Sequence, residues 1–192
     1  MTTRAAAADA TRERIVDLAC DAFLASWYDD VTLRDLASAA GVALQTVVNH
    51  FGTKESLYAA AVERIGETIE ACRYEVEPGD VRSAVDALVD DYDRTGDFTL
   101  RTLAEEGRLA VVAPALERGL QGHQDWVAHV FSAALKGLRG TARQRRRAQL
   151  VAVTDVYMWK LLRRDKGLSR NQTVLAVCEL VEALHTSPRG GS

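Results

Sequence analysis

Proline and cysteine are scarce, and each scarcity excludes something. Three prolines in 192 residues leave long stretches free of the residue that breaks helices; Pro78, Pro114 and Pro188 fall at turns or element edges. Three cysteines, Cys20, Cys72 and Cys178, are too few and too widely spaced for a disulfide framework or a C-x-x-C motif. Each lies in an apolar helical pattern and is expected as a packing thiol rather than a redox sensor. Unpaired thiols suit the reducing cytoplasm, where the chain is expected to reside. Long hydrophobic runs are missing too. The most apolar stretch, residues 109–116, contains Pro114 and is far too short to span a bilayer, and the opening MTTRAAAADA lacks the apolar core of a signal peptide. No membrane partner is therefore expected. β-Branched alternation with hairpin turns is absent, which argues against a sheet.

Catalytic patterns are also lacking. The four histidines, His50, His123, His129 and His185, show no metal spacing such as H-E-x-x-H, and there is no Gly-rich phosphate loop or G-x-S-x-G elbow. Glu105 and Glu106 are neighbours in sequence and diverge on a helix. The expectation is no enzyme, no metal and no cofactor. Positive charge is short as well: the formal net charge is −3, and residues 1–57 hold five basic against eight acidic side chains. Strong non-specific attraction to nucleic acid is thereby disfavoured, so DNA contact would rest on a few placed groups and helix N-termini. The basic surplus lies at residues 136–170, including Arg143, Arg145, Arg146 and Arg147. It reads either as a nucleic-acid patch or as solvated helix whose charges pair with the acidic region 67–106. The second is favoured, because cations in a first helical turn oppose the dipole and draw acidic partners.

What remains is helical periodicity almost throughout. Leu57, Ala61, Ile65, Ile69 and Cys72 form one stripe of a helix over residues 54–73, and Val81, Val85, Leu88, Val89 and Tyr92 form the next. Asp97 is placed to cap a short helix over 98–109, and Pro114 to open a long one through 138. Two S/T-x-x-Q capping boxes, Thr141 with Gln144 and Ser169 with Gln172, open a final pair. The fold class is all-α with about nine helices.

The richest segment is residues 31–57, VTLRDLASAAGVALQTVVNHFGTKESL. Leu33, Leu36, Ala37 and Ala40 make one apolar stripe, Thr32 with Asp35 supplies the N-terminal cap, and Gly41 ends the helix. A second helix follows over 44–50 with Val47 and Phe51 inward. Leu44, Gln45, Thr46, Val48, Asn49 and His50 are left to face outward. Two helices about a sharp turn present the second to the major groove, where Gln and Asn bond adenine edges and apolar groups meet thymine methyls. A plain helical hairpin with a glycine corner is the competing reading. Against it stand the bracing stripe Ile15, Leu18, Ala19, Ala22, Phe23 and the capped Thr53-Lys54-Glu55 start of a following helix, whose N-terminus can hold a phosphate.

Residues 11–57, in particular T-L-R-D-L-A-S-A-A-G-V followed by T-V-V-N-H-F-G-T-K-E-S-L, resemble the N-terminal DNA-binding domain of the tetracycline-repressor-like (TetR) family. TDVYMWKLLRRDKGLSR near the C-terminus is loosely similar to the penultimate helix and turn of actinobacterial members. The resemblance implies that Thr32 and Arg34 meet phosphate or a base, that Thr46, Asn49 and His50 lie on the recognition helix, and that Lys54 is the phosphate-binding lysine of the fourth helix. Three residues depart from the pattern: Ala43 where a capping side chain is usual, Val48 where an aromatic often stands, and Trp27 in place of glycine.

Beyond the first 57 residues the pattern suggests a ligand site and an interface. His123, Trp126, Val127 and Val130 share one helical face, with Phe98, Leu103 and Gly107 on a neighbouring helix and Tyr92 and Tyr157 approaching from others. This is the mixture a small-molecule cavity needs, although ordinary core packing accounts for any one of them equally well. Arg108 is open to pairing with an anionic effector or with a surface carboxylate. Leu150, Val153, Tyr157, Leu161, Val174, Val177, Leu180, Val181 and Leu184 give the last helices apolar faces broad enough to pack on a second copy, with core packing as the alternative. The expected organisation is a DNA-binding domain over residues 1–57 whose first ten or so residues are a flexible arm, an effector and dimerisation domain over 58–187, and a disordered tail over 188–192. The expected function is a homodimeric, ligand-responsive transcriptional regulator, a repressor of a palindromic operator; a helical ligand-binding protein with weak or lost DNA binding is the alternative. Operator DNA, a small-molecule effector and a second copy of the chain are the expected partners.

Overall fold

The computed structural model describes residues 2–73 and 76–186, with side chains from Ala5 to His185; the expected tail over 188–192 lies outside them. Among the described residues there is no strand, and ten α-helical segments occur: α1 Thr2–Ala25, α2 Leu33–Ala39, α3 Leu44–Phe51, α4 Lys54–Arg73, α5 Val81–Glu105, α6 Ala113–Val130, the single turn α7 Ser132–Leu135, α8 Gly140–Val153, α9 Val156–Lys160 and α10 Arg170–Thr186. No helix among the described residues is long and apolar enough to cross a membrane. Helix α1 begins at Thr2, so the residues expected as an arm carry helical backbone, as their alanine run favours.

The chain divides into two compact units, one of residues up to Thr68 with Arg101–Glu117, the other of Ile69–Leu100 with Arg118 onward. In the first, Ile15, Ala19 and Phe23 of α1 close over Leu36, Ala37, Val47 and Phe51 of the helical pair and Leu57, Tyr58 and Ala61 of α4, all buried. Each fully buried large side chain here contributes roughly 1.5–3 kcal/mol. Phe23 and Tyr58 meet edge to face at 4.6 Å, and the Tyr58 hydroxyl lies 3.0 Å from that of Thr102. In the second unit Val85, Leu88, Val89, Trp126, Val127, Leu150, Trp159, Val174, Val177 and Val181 form the core. Cys20 and Cys178 are buried and Cys72 half-buried, all three as free thiols.

Several element boundaries differ from the sequence reading. The separate helix over 98–109 is part of α5, which runs on through Gly96 and Asp97. Asp97 does not cap; its carboxylate pairs with Arg164 at 2.8 Å. The helix from Pro114 ends at Val130 because Phe131 leaves helical geometry at φ −98° and ψ 28°. Thr141 forms no capping box, since α8 starts at Gly140 and Arg139 precedes it without a side-chain cap. The box at Ser169 does form: Gln172 Oε1 accepts from the Ser169 backbone N–H at 3.0 Å, and Ser169 Oγ from that of Gln172 at 3.3 Å. The helix expected to continue past Thr154 breaks there, because Asp155 caps α9 by accepting from the Tyr157 N–H.

The acidic residues of α5 at positions 86, 90, 93 and 97 make one stripe, and the basic residues near the C-terminus neutralise it. Arg170 pairs with Asp86 at 3.0 Å and Asp90 at 2.6 Å, Arg163 with Asp93 at 2.8 Å, and Arg164 with Asp97. Such partly exposed pairs are individually worth about 0.2–1 kcal/mol. The Trp159 indole N–H donates to Asp93 at 2.9 Å, and the ring packs closely against Gly96.

That contact yields a test in which the sign decides. A Cβ built on Gly96 would come within 2.6 Å of the Trp159 ring, whereas one on Gly66 in α4 meets nothing within 4 Å. Helix propensity favours alanine at both sites by about 1 kcal/mol, but overpacking against a pinned ring costs about 1–3 kcal/mol. Urea unfolding should therefore show Gly66→Ala more stable than wild type and Gly96→Ala less stable. Equal stabilisation by both would refute the packing role of Gly96.

Candidate nucleic-acid interface and effector site

The helical pair is built as a presentation device. Thr32 caps α2, its hydroxyl accepting from the Asp35 N–H at 3.1 Å while donating to the Asp35 carboxylate at 2.6 Å. Gly41, at φ 64°, closes the helix in a Schellman turn: Val42 N–H donates to Ala37 at 3.0 Å and Gly41 N–H to Ser38 at 3.1 Å. Helix α3 starts at Ala43 with no side-chain cap, as its methyl group dictates, at a cost of about 1 kcal/mol in helix initiation. Val47 and Phe51 are buried, Leu44, Gln45 and Asn49 exposed, and Thr46, Val48 and His50 half-buried. The outward face is thus the one expected. Gln45 donates to the Asn49 side chain at 2.9 Å, so the two amides are held together as one polar element.

Around α3 stand the cations. Arg34 is exposed beside Thr32 at the start of α2. Thr53 caps α4, its hydroxyl accepting from the Ser56 N–H at 3.1 Å. The Lys54 ammonium lies 4.1 Å from the centroid of the Tyr28 ring, within cation–π range. Arg108 covers the same ring at 5.4 Å and pairs with the exposed Asp29 at 3.0 Å and the buried Glu105 at 2.6 Å, so its charge is taken up by carboxylates of its own unit. Burial pushes the Tyr28 hydroxyl up to about 12. Trp27 opens a 3-10 turn, Tyr28–Asp30, so the departure from glycine there coincides with a tight turn that inserts Tyr28 into the core. Sequence reasoning missed Arg12, whose guanidinium lies 5.1 Å over the Phe51 ring at the end of α3. Nothing in the spacing of α1 relative to α3 could have revealed that contact.

The expected ligand residues divide. Tyr92, Phe98, His123, Trp126, Val127 and Val130 are buried in the second unit, Tyr157 of that unit is 59% exposed, and Leu103 and Gly107 belong to the first unit. The heart of the buried group is a polar network that helical periodicity does not reveal. Arg73, the last residue of α4, donates to Asp91 from Nε at 3.2 Å and Nη2 at 3.0 Å. Its Nη1 lies 3.3 Å from His123 Nδ1. Because a guanidinium only donates, Nδ1 accepts and the imidazole proton sits on Nε2, directed at the Thr154 hydroxyl at 3.2 Å. That hydroxyl in turn donates to the Leu150 carbonyl at 2.8 Å. Tyr92 donates to the Thr154 carbonyl at 3.2 Å and the Trp126 indole N–H to the Arg73 carbonyl at 3.1 Å. Separately, Gln124, Gln144, Arg147, Ala148, Val151 and Ala152 line an open groove of about 360 Å³ between α6 and α8.

Burial, and then the charge of Arg73, push His123 down to about 4 from an ordinary value of 6.5. Its folded value is depressed, so the unfolded chain binds the extra proton between the two values. The contribution is complete above pH 6.5 and is lost as pH falls towards 4. By pH 4 the loss amounts to about 3 kcal/mol. His123→Gln, which cannot titrate, should lose about that much less stability than wild type between pH 7 and pH 4 in paired urea titrations. Parallel pH profiles would show that His123 is not the titrating group.

Of the expected interface residues, Leu150, Val174, Val177 and Val181 are buried within the chain, Val153 and Leu184 are half-buried, and Tyr157, Leu161 and Leu180 are exposed. Leu175, absent from the expected set, is exposed beside them at 49%. Among the described residues no group of three or more His, Cys, Asp or Glu side chains is placed to hold a metal.

Residues 15–61 match the family model for bacterial regulatory proteins of the tetR family. No curated protein matches the sequence. Among solved structures the chain is similar to a TetR-family transcriptional regulator from Mesorhizobium loti, with 18% identity, 92% of this chain and 96% of that one covered, and a TM-score of 0.69. A transcriptional regulator from Pseudomonas aeruginosa matches at 13% identity, with 92% and 90% covered and a TM-score of 0.70. The regulator FadR from Bacillus subtilis, solved with stearoyl-CoA, matches at 15% identity, with 91% and 97% covered and a TM-score of 0.62. At these identities the likeness is one of fold.

Proposed function

From the premise that this chain belongs to the tetR family of bacterial regulatory proteins through its N-terminal domain, we propose that it is a homodimeric transcriptional repressor in the cytoplasm that leaves a palindromic operator when a small molecule binds its second unit. The observation that carries this reading is the exposed face of α3, where Gln45 and Asn49 stand as a coupled amide pair, with Arg34 on the preceding helix and Lys54 at the start of the following one. Residues 1–57 supply the DNA-contacting elements and the chain beyond them the effector and dimer surfaces. One eight-residue helix reads too few base pairs for an operator, whereas two related by a dyad read both half-sites. An effector releases DNA only by binding more tightly to a state in which the two recognition helices no longer match that spacing.

Roles within the interface follow from chemistry. Lys54 meets a phosphate, so Lys54→Ala should weaken binding about equally on all operator variants and shallow the salt dependence by roughly one per subunit. Gln45→Ala or Asn49→Ala should cost about 1–3 kcal/mol and do so only for particular bases. Electrophoretic shifts with DNA flanking the gene, at two salt concentrations, provide the measurement. Uniform losses for the amide variants would make them positioning residues only, and no shift with any flanking DNA would favour the ligand-binding protein without DNA function.

The dimer is proposed on the outward faces of α8 and α10, where Ala148, Ala152, Leu175 and Leu180 are exposed. A four-helix bundle between two copies suits faces of this width. Val181 is unsuitable as a probe because it is fully buried within the chain, and a charge there would unfold the monomer. Leu180→Asp instead places an unpaired charge in the interface alone and should give a folded monomer by light scattering and circular dichroism. A wild-type protein that is monomeric at micromolar concentration would overturn the assignment.

A further inference from the structure

We propose that the buried pocket holding the Arg73 side chain is a binding site for a planar organic cation, an amidinium or guanidinium, and that the chain's own arginine occupies it when no such ligand is present. This rests on the reading of the second unit as the effector-binding part and names the chemical class of the effector. The groups facing the guanidinium are acceptors or ring faces. The Asp91 carboxylate, whose side chain is 3% exposed, takes two of its N–H groups, and His123 Nδ1 takes a third. The Tyr92 and Trp126 rings lie 5.2 Å and 6.0 Å from its central carbon. The donors of the same residues are committed elsewhere: Tyr92 O–H and His123 Nε2–H to Thr154, and Trp126 N–H to the Arg73 carbonyl. A carboxylate, an imidazole lone pair and two π faces form a cation cage; an anion entering it would meet Asp91.

Two further features separate this cage from ordinary packing. A buried ion pair adds little net stability over apolar side chains of the same volume, so stability alone does not select for it here. Its occupant is also the terminal residue of α4, and its side chain keeps 12% exposure where Asp91 keeps 3%, so the cage is reached from the Arg73 side. A ligand that takes the place of the guanidinium frees the end of the helix that begins at Lys54. Because the internal arginine competes for the cage, it lowers the apparent affinity of any external cation by the factor by which it fills the site.

The probe is benzamidinium, with benzoate and neutral benzamide as isosteric controls, titrated calorimetrically into the full-length protein. Benzamidinium should bind wild type weakly, Arg73→Met at least about 10-fold more tightly because the competitor is gone, and Asp91→Asn not at all; neither control should bind. Should Arg73→Met fail to fold by circular dichroism, Arg73→Lys, a poorer occupant of a planar site, must bind benzamidinium more tightly than wild type. No tightening in either arginine variant, or preference for benzoate, overturns the proposal. Operator shifts run in parallel separate the two readings: intact operator binding with no cation binding rejects the cage alone, and cation binding that leaves operator affinity unchanged rejects its place in regulation while the site stands.

Discussion

The second unit depends on a charge taken out of water. Once Arg73 is buried at the end of α4, everything around it must supply acceptors, and the surrounding elements are arranged to do so. Helix α5 provides Asp91, α6 provides His123, and α8 ends at Val153 so that the Thr154 hydroxyl accepts from the imidazole N–H and donates back to the Leu150 carbonyl. The break between α8 and α9, which interrupts a continuous apolar pattern, is therefore a consequence of the polar network as well as of the Asp155 cap. Removing one member of such a network leaves another unsatisfied, which is costlier than the net worth of any single bond.

The first unit solves a different electrostatic problem. Residues 1–57 carry an acidic surplus, unpromising for a surface meant to meet phosphate. The compact unit is larger than that segment, however, and takes in Arg101–Glu117. Arg101 donates to the carbonyls of Phe23 and Leu24 at 3.2 Å and 2.7 Å, covering the negative end of the α1 dipole. Arg108 neutralises Asp29 and Glu105, and Arg64 pairs with Glu13 and Asp17. Four of the unit's carboxylates, Glu13, Asp17, Asp29 and Glu105, are thus paired with arginines from beyond residue 57. The added segments bring acidic residues of their own, so what the sequence window hides is the pairing of individual carboxylates and not a change in the sign of the charge.

Most local features were legible in the sequence, the Thr141 box being an exception because α8 begins one residue earlier, at Gly140. The Thr32 cap, the Gly41 turn, the inward Val47 and Phe51 and the Ser169 box each depend on residues within a few positions of one another, and all occur in the structure. The misplaced boundaries are places where tertiary contacts outweigh a local signal. Gly96 and Asp97 look like a helix stop, yet the close approach of Trp159 and the pairing with Arg164 make helix the better state there. The width of an apolar face could not say which residues of α10 are covered by the same chain. Val174, Val177 and Val181 are, whereas Leu175 and Leu180 point away. His123, Trp126, Val127 and Val130 were correctly seen to share a face, but what that face surrounds was invisible, because Arg73 lies fifty residues from His123.

The identity of the buried cation narrows what the network is for. A lysine would meet Asp91 as a single point charge and could shed its proton under burial, whereas arginine stays charged and spreads its donors in a plane. Here each of the three nitrogens donates once, two to the carboxylate and one to a neutral imidazole, and burial keeps His123 in the form that can accept. Arg163, Arg164 and Arg170 use the same functional group at half-exposed positions, where solvent could replace any one of the pairs at little cost. Only at Arg73 are charge, planarity and the imidazole lone pair all required at once. An aspartate, an imidazole lone pair and two ring faces are complementary to planar cations as a class, which is the chemistry the proposed competitor shares with Arg73.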